Sequence, residues 1–270
     1  SLSNKGWWPS LDSNNGLNSL TKGFNSLEKI IAKEQFQKSL EKCKGLFTLS
    51  TDLAEYVQQE TGVTTVPLIH PTEIPAKIFN FEKFLKNQDK KIFLIGYWLR
   101  NMLSLFRLPL NSSSGYRKMR LLPYAGESPL RTINYFLVKQ KEIYDKEIPA
   151  EHNDNTYDLN RLSNEDYDNL FIDNIMFLDL YAASANNGVI EAIARATPTL
   201  INKLPATLEY FGKDYPLFYD SLEEAAAKAL DFNLIEKAHH HLLNSETRKK
   251  LEGSYFAQSM KNSSIYKSLF

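Results

Sequence analysis

The chain has 270 residues, 43% of them hydrophobic and 24% charged, with 32 Lys+Arg against 32 Asp+Glu and a formal net charge of zero. That length can bury one large core or two smaller ones, and the charge balance argues against a protein whose task is to coat nucleic acid or an anionic membrane. No stretch approaches the roughly 20 consecutive apolar residues that a membrane-spanning helix needs.

The opening Ser1 to Trp8 carries neither an initiator Met nor the apolar segment of a signal peptide, and reads as a processed end. Residues 1–25, rich in Ser, Asn and Gly, read as loop. From Ser26 to Cys43, Leu27, Ile30, Ile31, Phe36 and Leu40 recur at roughly helical spacing and predict an amphipathic helix. Cys43 is the one cysteine. An intrachain disulfide is therefore excluded, a reducing, cytoplasmic setting is expected, and the residue itself reads as a small buried apolar group. Gly45 to Ser50 predicts a short buried strand, followed by a helix capped by Ser50 or Thr51 that stops near Gly62. Val66 to Pro71 carries too much proline for a central strand and reads as an extended connector. With about one strand between two helices, residues 1–75 read as a partial N-terminal α/β segment.

The apolar run from Lys90 to Tyr97 has the composition of a buried parallel strand feeding a turn at Gly96. Tyr116 to Leu122 predicts a second strand, 128–141 a helix, and 154–161 a further short strand. Ser163 to Phe171 predicts a helix with Ser163 as its cap and Asp166 three residues on. Asn174 to Leu180 predicts a strong strand, followed by a loop of small residues and a helix from Val189 to Ala196. A strand at Thr199–Asn202, another at Pro216–Tyr219 and a helix at Ser221–Leu230 complete the alternation. Strands alternating with helices imply an α/β fold, a Rossmann-like parallel sheet flanked by helices, over residues 76–232. Residues 233–270 read as a C-terminal helical tail.

In an open parallel sheet the ligand crevice lies beyond the carboxyl ends of the strands, where strand order reverses. Two strand-to-loop junctions carry fitting chemistry. Beyond Leu180, the residues Ser184, Ala185, Asn186 and Asn187 offer small and amide side chains and backbone N–H groups at a helix start, which suits an anion. A plain cap by Ser184 or Asn186 fits the same residues. One turn on, Glu191 sits on a mostly apolar helix and needs a polar partner, either ribose hydroxyls or Arg195 in the next turn. Beyond the first strand, Gly96 to Asn101 carries Arg100, whose planar fork suits phosphate oxygens, with Arg107 or Lys118 behind it. A surface ion pair is the plainer role for Arg100, and core packing the plainer role for Tyr97 and Trp98, which otherwise suit stacking on a base.

The run Asn187-Gly188-Val189-Ile190-Glu191-Ala192-Ile193-Ala194-Arg195-Ala196-Thr197-Pro198-Thr199-Leu200-Ile201 resembles the donor-site segment of GT-B glycosyltransferases of the family-4-like type (glycosyl transferases group 1). There a Glu, an Ala-hydrophobic-Ala core, a small residue, a Pro and a buried strand recur in this order. Asn202 to Gly212 and Ser221 to Ala225 are similar to the segments that follow in such enzymes, and the likeness extends over residues 88–270. It implies that Glu191 binds the ribose of a nucleotide sugar, with Ser184, Asn186, Asn187 and Arg100 around the diphosphate. It further implies hexose transfer from a donor such as a UDP- or GDP-sugar without a metal or other cofactor. The acceptor, a glycan, a lipid-linked sugar or a protein, would be held mainly by an N-terminal domain of which this chain carries a remnant. The family pattern has a second Glu eight residues before the first; here that position is Ala183, so the sugar-contacting carboxylate is missing.

His239, His240 and His241 are consecutive within a helical run and point to different faces, which does not make a metal site. His70 falls in the proline-rich connector, at the expected hinge, with a structural role or a place in the cleft. Asp166-Tyr167-Asp168 lacks the context of a metal–diphosphate motif. Two other classes fit the same residues: a non-catalytic binding or interaction module that keeps the half-fold, and a sugar-nucleotide epimerase of similar architecture.

Overall fold

A computed structural model of the chain describes residues 30–96, 99–121, 155–159, 162–181, 183 and 185–270. The helix expected at 128–141, the loop expected at 1–25, and Tyr97, Trp98 and Ser184 lie outside them.

The N-terminal unit runs α1 (Glu34–Leu40), β1 (Leu46–Thr48), α2 (Thr51–Thr61) and β2 (Thr65–Pro67). The two strands pair in parallel through the α2 crossover. Ser50 caps α2, its hydroxyl accepting from the Leu53 N–H, and the helix ends at Gly62 in the left-handed conformation. Ile31, Tyr56 and Val57, with Phe36, Leu46 and Leu53 against them, form a small core of its own.

Three expectations for this region are corrected. The helix predicted from Ser26 to Cys43 is broken: Lys33 is extended (φ −72°, ψ 127°) before α1, and the Gln37 amide donates to the Ile31 carbonyl at 2.7 Å. The break falls in the five-residue gap between Ile31 and Phe36, where the apolar stripe slips off the 3.6-residue period. Cys43 is exposed rather than buried, because it sits in the turn after α1, its N–H donating to the Leu40 carbonyl. Val66 and Pro67, expected as connector, belong to the strand Thr65–Pro67; Pro67 is tolerated at the last residue of a two-stranded sheet. This unit thus holds two strands where one was expected.

After α3 (Phe81–Lys86) come β3 (Lys90–Ile95), α4 (Ser104–Arg107), β4 (Tyr116–Leu121), β5 (Thr156–Leu159), α5 (Asn164–Leu170) and β6 (Ile175–Leu178). The second half runs α6 (Asn187–Ala194), β7 (Thr199–Asn202), α7 (Pro205–Phe211), β8 (Phe218–Tyr219) and α8 (Leu222–Leu230). The tail, read as helical, is α9 (Phe232–Leu243), α10 (Glu246–Lys249), α11 (Gly253–Asn262) and α12 (Ser264–Lys267). The six strands form one sheet in the order β5-β4-β3-β6-β7-β8, every adjacent pair parallel.

This is the α/β fold read from the sequence. The chain builds outward from β3 to β5, returns to the middle at β6 and builds outward again to β8, so strand order reverses between β3 and β6. Helices flank the sheet, and buried side chains of α3 and α6–α9 join the strands in one cluster. β6 is buried along its whole length, as a central parallel strand covered on both faces must be.

Candidate functional site

The reversal places the carboxyl ends of β3 and β6 side by side, and the loops leaving them are laced together. Tyr181 N–H donates to the Leu99 carbonyl at 2.9 Å and Asn101 N–H to the Asp179 carbonyl at 2.8 Å, with an antiparallel bridge between Arg100 and Leu180. Leu180 is clamped from the other side by Asn202 at the end of β7, whose amide accepts from the Leu180 N–H and donates to its carbonyl, both at 2.8 Å. Leu99 is held at φ 59°, a left-handed conformation that a leucine adopts at a cost of about 1–2 kcal/mol.

Arg100, expected near a phosphate, is 7% exposed. Its Nη2 donates to Asn186 Oδ1 at 2.6 Å, and the same oxygen accepts from the Gly188 N–H at 3.0 Å as the cap of α6. The guanidinium passes between two glycines: a Cβ on Gly96 would stand 2.8 Å from Nη1, and one on Gly188 would stand 3.2 Å from Nη2. Gly96 also turns the chain out of β3 at φ 78°. Burial pulls the Arg100 pKa down to about 10, opposed by the nearby Tyr167 and Glu191. A cation here faces the positive end of the α6 dipole, so burial and dipole both act against it.

Glu191 is partly buried on α6, and its Oε2 accepts a short hydrogen bond from the Tyr167 hydroxyl of α5. Burial first, then the Glu191 charge, push the Tyr167 hydroxyl well above its ordinary range. The alternative pairing of Glu191 with Arg195 is not what forms: Arg195 Nη2 meets Asp168 Oδ1 at 2.6 Å and its guanidinium lies 4.8 Å from the centre of the Phe171 ring. α5 is thereby pinned to α6 at two points. Asn187 is exposed as the first residue of α6, and Ala183 lies partly buried against the main core.

The two basic residues read as support for Arg100 separate. Lys118 is wholly buried, and its ammonium donates to the carbonyls of Phe106 and Leu108 at 3.4 and 3.1 Å; it ties down the end of α4 instead of facing the crevice. Arg107 acts electrostatically on Asp179. Asp179 itself, at the end of β6, was missed by sequence reading. Burial pushes its carboxyl up to about 6, against the hydrogen bonds of Asn101 and Ser104. The available signal was a lone carboxylate closing an otherwise apolar strand.

The histidines hold backbone. His239 Nδ1 lies 2.8 Å from the Ala196 carbonyl and His241 Nε2 lies 2.7 Å from that of Phe211. His70 donates its N–H to the Tyr210 hydroxyl at 3.1 Å, between the two units. Among the described residues no group of three or more His, Cys, Asp and Glu is placed to hold a metal ion. No helix among them is long and apolar enough to cross a membrane.

No protein-family model matches the sequence, and a search of curated proteins finds no match. Solved structures are similar in fold. One is the N-terminal domain of the trehalose-6-phosphate phosphatase of Candida albicans (9% identity, TM-score 0.56, 87% of this chain and 63% of that chain). Another is a UDP-forming α,α-trehalose-phosphate synthase from Burkholderia xenovorans, in complex with glucose-6-phosphate (11% identity, TM-score 0.59, 84% and 62%). A third is the corresponding synthase from Burkholderia vietnamiensis (10% identity, TM-score 0.61, 87% and 62%). The chain spans less than two thirds of the length of these proteins. At such identities the likeness is one of fold alone, a parallel α/β sheet flanked by helices.

Proposed function

We propose that this chain is the donor-binding half of a glycosyltransferase, holding a nucleoside-diphosphate sugar beyond the carboxyl ends of β3 and β6. Arg100 carries the reading. A buried guanidinium folded between two glycines onto the N-terminus of α6 is a poor way to fill a core. Lowering its pKa to about 10 corresponds to roughly 3 kcal/mol spent on keeping the charge there. A diphosphate would pair with the guanidinium and with the helix N–H groups together. Asn186, Asn187 and, by sequence, Ser184 would line its path. Glu191, oriented by Tyr167, would accept from the ribose hydroxyls one turn further on. The family-4-like placement rests on the Asn187 to Ile201 motif, and the UDP-forming neighbours favour a uridine over a guanosine donor.

In the transfer, the bond from the sugar C1 to the diphosphate oxygen breaks and C1 bonds to an acceptor oxygen, whose proton passes to the leaving phosphate or to water. Arg100 and the α6 dipole would stabilise the departing diphosphate without a metal. The acceptor, a glycan, lipid-linked sugar or protein, would be bound outside this half, in a cytoplasmic setting. One observation favours a second reading, a non-catalytic nucleotide-binding module: Ala183, at the position of the sugar-contacting carboxylate, packs towards the core.

Calorimetric titration with UDP, GDP and a UDP- and a GDP-sugar tests the site. A uridine ligand is expected to bind, with Arg100→Ala and Glu191→Ala each weakening it by roughly tenfold or more, about 1.4 kcal/mol per tenfold. Failure of the whole panel at millimolar concentration sinks the donor-site reading. Binding of UDP with no binding of the UDP-sugar selects the non-catalytic nucleotide-binding module.

A further inference from the structure

We infer that Asp179 is a positioning residue that holds the Arg100 loop in its phosphate-binding shape; this rests on the donor-site reading of Arg100. Asp179 grips Asn101 twice, through its main-chain carbonyl on the Asn101 N–H at 2.8 Å and through Oδ2 on the Asn101 amide at 3.0 Å. Asn101 and Ser104 are buried, and the Ser104 hydroxyl donates to the Asn101 carbonyl at 2.6 Å, closing the turn that Asp179 holds.

The residue held in this way directly follows Arg100, and Arg100 directly follows Leu99. Leu99 is in a conformation that relaxes unless its neighbours forbid it. On its far side the Tyr181 N–H holds the Leu99 carbonyl. Asp179 therefore supplies the second anchor of a two-point restraint, and without it Leu99 is free to leave φ 59° and carry Arg100 away from Asn186. An apolar residue would continue the buried β6 strand at less cost to stability. A carboxylate there has a purpose that an apolar residue cannot serve, because it accepts from the Asn101 amide.

Two variants weaken the side-chain half of the restraint from opposite sides: Asp179→Asn, which keeps the volume but replaces one acceptor oxygen by an N–H donor, and Asn101→Ala. In the ligand-free protein, both are expected to speed amide hydrogen exchange over residues 99–104 by about tenfold or more while leaving residues 199–219 unchanged. Unchanged exchange at 99–104 overturns the inference whether or not a nucleotide binds. With UDP as the probe, Asp179→Asn is expected to weaken binding about tenfold in the otherwise wild-type chain and less than about twofold on an Arg100→Ala background. Equal losses in both backgrounds would make Asp179 a general structural residue and overturn the positioning role. A wild-type chain that does not bind UDP fails the donor-site reading alone, and the exchange measurement still decides whether Asp179 holds the loop.

Discussion

Arg100 and Asp179 carry ionisable groups to the same strand-end junction, and burial disfavours the charged form of each. For Asp179 the folded pKa of about 6 lies above the ordinary 3.8. The native state therefore binds the proton more tightly than the unfolded chain does, and its advantage is complete below about pH 4 and lost as pH rises through 6. Relative to Asp179→Asn, wild-type stability is expected to fall by roughly 2 kcal/mol between pH 4 and pH 7.5, read from urea unfolding at those two values; a difference that is the same at both pH values contradicts it. Arg100 is charged throughout that range, so its cost is constant. Arg100→Met, of similar length and without charge, is expected to leave stability within about 1 kcal/mol of wild type while abolishing nucleotide binding. A loss above 3 kcal/mol would mean that the guanidinium is there to hold the fold. Gly96→Ala combines a left-handed φ with a contact 2.8 Å from Arg100 Nη1, and is expected to cost about 1–2 kcal/mol from the backbone alone.

At the scale of elements, the site depends on α5 being seated correctly, since α5 brings Tyr167 to Glu191. Ser163 caps it, accepting from the Asp166 N–H at 3.1 Å and donating to its carboxylate at 2.7 Å. Ser163→Ala is expected to cost about 1 kcal/mol and to lower nucleotide affinity by less than Tyr167→Phe does, because the first turn frays before Tyr167 moves; calorimetry on the two variants ranks them. That cap was legible because its signal lies within four residues. So were β3 and β6, whose uniform apolar runs have few other readings, and the Leu180 to Glu191 junction, where strand, small-residue loop and helix follow in sequence. What sequence did not reveal was non-local. Tyr167 and Glu191 are 24 residues apart, and Asn101 and Asp179 are 78 apart. Only the sheet order brings such pairs together, and no local spacing encodes it. The short helices α3 and α4 were missed because six and four residues are too few to show a period.

At the scale of the molecule, the N-terminal unit is a parallel pair of three-residue strands with two short helices, too little sheet to stand alone, so its order depends on the main domain. Among the described residues, hydrogen bonds and packing at four places connect them. Tyr210 donates its hydroxyl to the Leu49 carbonyl at 2.8 Å and accepts from the His70 N–H at 3.1 Å. The Glu209 carboxylate takes the N–H and hydroxyl of Thr51, at 2.8 and 2.9 Å, at the start of α2. The Thr72 N–H donates to the Leu251 carbonyl at 2.7 Å, and Ile265 of α12 lies against Gly45. Counting bonds would rank Glu209 and Tyr210 as equals, but their surroundings differ. The Glu209 pair is exposed, so water replaces whatever is lost. Tyr210 is 1% exposed, and burial pushes its hydroxyl up to about 12. Tyr210→Phe would strand two backbone groups at the joint and is expected to cost about 1–3 kcal/mol, whereas Glu209→Ala is expected to cost less than about 1 kcal/mol. The loss in Tyr210→Phe should appear first as faster amide exchange across residues 46–67, ahead of any change in β3 or β6. A larger effect from Glu209→Ala, or simultaneous loosening of both units, would show that exposed charge at the α2 terminus, and not the buried hydroxyl, holds the two halves together.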